Sequence, residues 1–171
     1  MTSPLSPSPP DPAFPRWTAA PFPRYRFVPG RSPHPRRDRL GHSWGLPEPR
    51  VQAIDPAAWA ACAVYLRGVD LFNFAYWWES HEAFEALWRG ARPGTATAEL
   101  LQALIQLAAS ELKRFSGLPR PAQALGERAL ARLAEVPSPY LGLDVRGLAR
   151  EAEGRLAGER QLPLLLVLAL P

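Results

Sequence analysis

Three neighbouring side chains have the chemistry of a reactive site. His81, Glu82 and Glu85 lie close together in the segment LFNFAYWWESHEAFEALWR, which spans 71–89. If that segment is a helix, they share an arc of roughly 100° with Trp78. An imidazole and carboxylates can transfer protons or bind a metal ion. A solvated helix face does not need a tryptophan in its middle, so we interpret this arc as either a site or a polar contact between helices.

The pattern of these residues is incomplete for a metal site. His81 and Glu85 are spaced i, i+4, which allows two ligands on one helix face. The Glu-x-x-His pattern of dimetal bundles fails, because Trp78 stands three residues before His81. The zinc-protease pattern His-Glu-x-x-His fails as well, because Glu85 occupies the place of the second histidine. We expect no metal and no cofactor, and a metal would depend on His81 and Glu85.

Two glutamines on the next predicted helix can meet this arc. A short connection makes consecutive helices antiparallel neighbours. At 1.5 Å per residue, His81 and Gln102 both lie roughly 11 Å from the connection. Gln106 lies one turn further along. The spacing therefore predicts that the polar arc of one helix faces the two glutamines of the other.

The favoured interpretation of the whole set is a structural one. Polar side chains on two helices can satisfy one another without any substrate, and the protein is then not an enzyme. The predicted network comprises Trp78, His81, Glu82, Glu85, Gln102 and Gln106. The alternative is an enzyme or a metal- or small-ligand-binding protein, in which His81, Glu82 or Glu85 acts as a base or ligand in a cleft. The sequence leaves the substrate and the reaction open.

About five helices are predicted to position these residues. Asp55 and Pro56 mark the start of the first helix as N-cap and first helical residue, and Asn73 is placed at its end as a cap, with Asp70 interpreted in the same way. The later helices are predicted from Phe74 or Ala75 to Arg89, from Thr95 or Thr97 to Gly117, from Pro119 to Pro137 and from Asp144 to Gly158. The third has the widest apolar face, so the fold is predicted to be an all-α antiparallel bundle over 51–171 with the second and third helices central.

Residues 1–50 have a different composition. Thirteen of the 21 prolines and eight arginines lie there, and proline prevents regular helices and inner strands. We expect a disordered or extended tail. One alternative is nucleic-acid association through residues 16–50 by charge and stacking. Another is that aromatic side chains, namely Trp17, Phe22, Phe27 and Trp44, wrap back onto the domain.

Composition also bounds the location of the protein. Cys62 is the only cysteine, which excludes an internal disulfide. The first residues lack the apolar region of a secretory signal, and the leucine-rich C-terminus is far shorter than the ~20 residues of a membrane-spanning helix. We expect a soluble, cytoplasmic protein without membrane contact, whose partners are unknown and for which homo-oligomerisation is left open.

The sequence resembles a known prokaryotic family. The segments LFNFAYWWESHEAFEALWRG, LLQALIQLAAS and YLGLDVRGL are similar to the family catalogued as domain of unknown function number 309, over about residues 57–150. Its characteristic positions are matched by Leu71, Phe72, Asn73, Tyr76, Trp77, His81, Glu82, Glu85, Leu87, Trp88, Gln102, Leu104, Ile105 and Gln106. Ala103 stands where the family has glycine. The resemblance implies an all-α domain and carries no established reaction.

Overall fold

The computed structural model describes residues 6–47 and 53–169. Its helices are a 3-10 helix, Pro56–Ala61, followed by α1, Ala63–Asn73; α2, Trp77–Gly90; α3, Ala96–Phe115; α4, Pro119–Leu133; and α5, Val145–Leu156. Within these residues the only β pairing is two isolated bridges. The all-α fold predicted from the sequence is therefore confirmed.

The helices pack in chain order around α3. This helix contacts both α2 and α4, while α1 packs on α2 and α5 on α4. The three connections that join consecutive helices from α1 to α4 are short, as in an antiparallel bundle. Leu100, Leu101 and Leu104 on α3 are completely buried, which accounts for the wide apolar face of this helix in the sequence.

Side-chain caps are present at two of the predicted helix starts. The Thr95 hydroxyl accepts a hydrogen bond from the Ala98 amide at 3.3 Å, and Asp144 accepts one from the Gly147 amide at 3.0 Å. Each cap satisfies an amide that the first helical turn leaves without a partner. The starts of α3 and α5 thus follow from local side-chain chemistry.

The first two predicted helices begin later than expected. Asp55 does cap Ala57, but only a 3-10 turn follows, because Cys62 has extended backbone angles (ψ 92°) and α1 starts after it. The second helix begins at Trp77 rather than at Phe74 or Ala75. Its start is delayed because Ala75 has φ +62°, a conformation that a right-handed helix does not contain.

Asn73 does not act as the predicted cap. It is the last residue of α1 and is 1% exposed. Its side chain binds the backbone amide and the backbone carbonyl of one distant residue, Leu166. Its amide donates to the Leu166 carbonyl at 2.9 Å, and its oxygen accepts from the Leu166 amide at 2.7 Å. Leu164, Leu166 and Leu168 are buried. Asn73 thus fixes the leucine-rich C-terminal segment against the core.

Residues 6–47, which we call the arm, contain no helix or strand and lie against α1 and α2 as irregular segments joined by turns. The carboxylate of Asp70 accepts hydrogen bonds from the Trp17 amide at 2.8 Å and from the amide and hydroxyl of Thr18 at 2.8 and 2.7 Å. Asp70 is 1% exposed. Its predicted role as a cap is therefore wrong, because its acceptors are used by the arm.

Aromatic contacts continue this attachment. Phe22 stacks on Tyr76 with ring centroids 4.9 Å apart, and Arg26 donates to the Phe74 carbonyl at 2.7 Å. Val28 is completely buried in the core. Of the arm conformations considered from the sequence, the described residues adopt the one that wraps back onto the domain. Trp44 is the exception among the aromatics named for it, at 48% exposed.

A glycine lets α1 and α2 approach closely. A Cβ at Gly68 would lie 2.6 Å from Cε1 of Phe84, so no other side chain fits there without displacing that ring. The Ser80 hydroxyl donates to the Gly68 carbonyl at 2.9 Å. The closely packed helices α1 and α2 together form the surface on which the arm lies.

None of the described helices is long and apolar enough to cross a membrane.

Candidate functional site

A cavity of about 1140 Å³ lies between part of the arm and the outer faces of α1 and α2. We call it the arm groove. Small and apolar residues of both helices form part of its surface, and polar residues of the arm and α2 face them. Its lining comprises Thr18, Ala20, Pro23, His34, Pro35, Arg36, Arg37, His42, Ser43, Ala63, Val64, Arg67, Leu71, Trp78, Glu79, Glu82, Ala83, Glu85, Ala86, Arg89 and Gly90.

Glu79 is the most buried charged group of this lining. It is 8% exposed, and its Oε1 accepts a hydrogen bond from the Phe27 amide at 3.0 Å and contacts Nε2 of His42 at 2.9 Å. Its other oxygen, Oε2, is buried and has no hydrogen-bond partner among the described residues. A buried carboxylate needs donors to offset its lost hydration, so Oε2 has unused capacity to accept.

The contact with Glu79 favours one tautomer of His42. A carboxylate oxygen accepts hydrogen bonds, so with Glu79 as the acceptor Nε2 of His42 is the donor. In the neutral ring this leaves a lone pair on Nδ1, which lies 2.9 Å from the Ser43 hydroxyl. Ser43 then donates to His42, and His42 donates to Glu79. Such a chain suits proton transfer, because the carboxylate stabilises the imidazolium that forms when Nδ1 takes a proton.

The rim of the groove carries two ion pairs. Glu82 lies 3.8 Å from Nε of Arg36 on the arm, and Glu85 lies 2.9 Å from Arg89 one turn along α2. The neighbouring His81 imidazole is the main group that lowers the pKa of Glu82, and the charges of Arg36 and Arg89 lower it too. Glu82 is therefore ionised at neutral pH and binds the arm.

The structure divides the predicted site residues of α2 between two cavities. Trp78, Glu82 and Glu85 line the arm groove. His81 lines a smaller pocket on the other side of Trp78, and the two rings stack with centroids 5.7 Å apart. Trp78 therefore forms a wall between the two cavities, with the ring of Phe27 against its edge at 4.9 Å.

His81, Glu82 and Glu85 form the candidate metal cluster of the described residues. One ligand atom from each lies within 4.8 Å of the others, close enough for a single cation. Both carboxylates already contact an arginine, and each guanidinium would have to give way to the ion. The donor set fits a divalent cation only if the rim of the groove rearranges.

Gln102 and Gln106 stand apart from this cluster. Both are half-buried on α3. The hydrogen bonds found in the described parts of the chain join neither of them to His81, Glu82 or Glu85, and the buried oxygen of Gln106 has no partner there. The proposed structural role of this set remains a prediction, with the two halves not hydrogen-bonded to each other.

Sequence reasoning missed His42, Ser43 and Glu79. Glu79 falls outside the arc of Trp78 and His81 on a helical projection, and 37 residues separate it from His42. No local pattern links the two. The only signal in the sequence was a histidine followed by a serine in the proline- and arginine-rich region.

A family model described as "Domain of unknown function (DUF309)" matches residues 65–125. This confirms the resemblance seen in the sequence. The matched segment runs from α1 into α4 and contains Glu79, whereas His42 and Ser43 lie outside it on the arm. No curated protein shows significant similarity to the chain.

Proposed function

We propose that the protein binds a small polar ligand in the arm groove and holds it through Glu79. The observation that carries this proposal is the state of that carboxylate. Glu79 lines the groove, is 8% exposed, and has one buried oxygen without a partner among the described residues. A ligand that offers an N–H group to Oε2 would complete its hydrogen bonding.

The character of the groove narrows the ligand class. Val64, Ala83 and Ala86 supply an apolar surface in the groove that Glu79 and His42 also line. Ligand sites usually combine such a surface with a few convergent polar groups. The carboxylate favours a positively charged donor, since charge-assisted hydrogen bonds are the stronger ones. The ligand class is therefore a small amine, amidine or amide with an apolar portion.

Benzamidine is a suitable first probe. We expect it to raise the thermal unfolding midpoint of the full chain, because a ligand that binds only the folded state stabilises it. Glu79→Gln should abolish that shift. Glu153→Gln, a change on α5 far along the chain from the groove, serves as the matched control and should respond as the unchanged protein does.

Two results would count against this proposal. One is a midpoint that benzamidine leaves unchanged in the full chain. The other is an equal shift in the Glu79→Gln variant. Benzyl alcohol, which lacks the N–H groups, should produce a smaller shift at the same concentration.

A second candidate function is acyl transfer, which the Ser43–His42–Glu79 chain favours. The Ser43 hydroxyl oxygen would attack an ester carbonyl while its proton passes to Nδ1 of His42. That proton would then leave with the alcohol, and water would hydrolyse the acyl group from Ser43 by the same route.

Labelling by an alkyl phosphonofluoridate tests this candidate. The reaction displaces fluoride and adds the phosphonyl group to an activated serine, which mass spectrometry locates. We expect labelling at Ser43 that is lost in Ser43→Ala and retained in Ser6→Ala, a control on the exposed part of the arm. Absence of label at Ser43 in the full chain contradicts the acyl-transfer candidate and leaves the binding proposal unaffected.

A further inference from the structure

A second, smaller cavity lies between α2, α3 and the arm. Its volume is about 260 Å³, below the roughly 300–1,000 Å³ of common ligand pockets. Trp77 and Trp78 come from α2, and Leu112 and Lys113 from α3. We call it the indole pocket. It shares only Trp78 with the arm groove, so it can bind a different molecule.

Trp77 provides the first reason to regard this pocket as a site. This residue lines the pocket and is 3% exposed. The indole Nε1 is buried and has no hydrogen-bond partner among the described residues. Because an indole N–H only donates, what would complete it is an acceptor. Buried tryptophans normally have such a partner.

The charge of the lining provides the second reason. Lys113 and Arg31 both line the pocket, and no carboxylate of the described residues does. The Arg31 guanidinium lies 5.1 Å from the centre of the Phe115 ring, which holds this cation beside the helix pair. The ammonium group of Lys113 therefore favours an anion. The oxygens of an anion can also accept the hydrogen bond that the indole N–H has to donate.

Size and walls define the rest of the ligand. Trp77, Trp78 and Leu112 present mainly apolar surface, against which a flat ring can pack. The volume excludes most drug-sized or nucleotide-sized molecules. We propose that the indole pocket binds a small aromatic carboxylate, with its ring between the tryptophans and Leu112 and its carboxylate facing the Trp77 N–H and Lys113.

Benzoate is the probe that tests this assignment, and benzamide is its uncharged counterpart. Titration of the full chain, followed by isothermal calorimetry and by tryptophan fluorescence, should show tighter binding of benzoate than of benzamide. Higher salt should weaken benzoate binding, since part of the affinity comes from charge.

Two substitutions separate the donor from the charge. Trp77→Phe keeps an aromatic ring and removes the N–H, and Lys113→Gln removes the cation. Each should weaken benzoate binding about tenfold, the equivalent of one hydrogen bond to a charged group. Trp88→Phe on the same helix and Arg120→Gln on α4 do not line the pocket and should leave binding unchanged.

Three outcomes overturn the assignment. They are the absence of benzoate binding to the full chain, equal binding of benzoate and benzamide, and unchanged benzoate binding in Lys113→Gln. Thermal unfolding of each variant shows whether it is folded. If Trp77→Phe is destabilised, Lys113→Gln still decides the question, because Lys113 is half-buried and is not part of the hydrophobic core.

Discussion

Replacing Asp70 by asparagine tests whether the arm is a structural part of the domain. The two side chains have nearly the same shape, but asparagine has one acceptor oxygen where aspartate has two. In the structure Oδ1 accepts from the Trp17 amide and Oδ2 from the amide and hydroxyl of Thr18. In Asp70→Asn, one of these two sets must face an NH2 group.

The expected cost follows from these bonds. At best the asparagine oxygen faces Thr18 and keeps the hydrogen bonds from its amide and from its hydroxyl, which can rotate. The hydrogen bond from the Trp17 amide is then lost. A hydrogen bond to a charged group contributes about 1.5–3 kcal/mol, and the retained bonds weaken when their acceptor becomes neutral. We therefore expect the free energy of unfolding to fall by about 3 kcal/mol.

Urea unfolding measures this change, and limited proteolysis locates it. Peptide bonds after Arg24 and Arg26 should become more sensitive to trypsin in Asp70→Asn, because the arm is released first. Thr18→Ala removes only the hydroxyl bond and should cost about 1 kcal/mol. Asp38→Asn, at an exposed arm carboxylate, is the control. A loss for Asp70→Asn no larger than that of Thr18→Ala would refute the reasoning.

Two further predictions concern other attachments in the fold. Asn73→Ala leaves the amide and carbonyl of Leu166 without their partners, so unfolding in urea should show a loss of about 2–4 kcal/mol, and carboxypeptidase should digest the C-terminal segment faster than in Gln161→Ala. Asp144 has its pKa lowered by the Gly147 amide and the Ser138 hydroxyl, so its contribution to stability is present at neutral pH and is lost as the pH falls through that lowered value. The thermal midpoint of Asp144→Asn should accordingly be lower at neutral pH and depend less on pH in the acidic range; an unchanged acid slope would contradict this.

The helices were predictable because their signals are local. Apolar spacing of three and four residues located α3 and α5, and Thr95 and Asp144 marked their starts. Each signal depends on residues within one or two turns of each other. The delayed start of α2 was not predictable in this way, since the φ of Ala75 depends on how the chain turns between two packed helices.

The polar residues were assigned wrongly for a related reason. Asp70 and Asn73 lie near a helix end, where local rules favour capping. Their actual partners lie 52 to 93 residues away in the chain. Both residues are buried as completely as the core leucines. A single sequence carries no signal that joins such distant partners, so their roles become visible only when the fold is known.

The same separation along the chain explains why half of the candidate site was not predicted from the sequence. The conspicuous cluster on α2 drew attention to His81, which faces the indole pocket, whereas the histidine that contacts a carboxylate most closely is His42 on the arm. Low-complexity composition suggested a tail there. Composition describes how a segment behaves alone. It does not show that buried carboxylates elsewhere accept hydrogen bonds from the backbone amides of that segment.

The arm is therefore better understood as part of the domain than as an addition to it. Asp70 and Glu79 belong to the segment that matches the family model. Both are buried under the arm and accept hydrogen bonds from its backbone amides. Without the arm, that segment would carry two carboxylates in a partly apolar surface without these donors, which is costly. The arm groove exists only when both parts are present. His42, Ser43 and Arg36 line this groove but lie outside the family match, so experiments that test the proposed binding require the full chain.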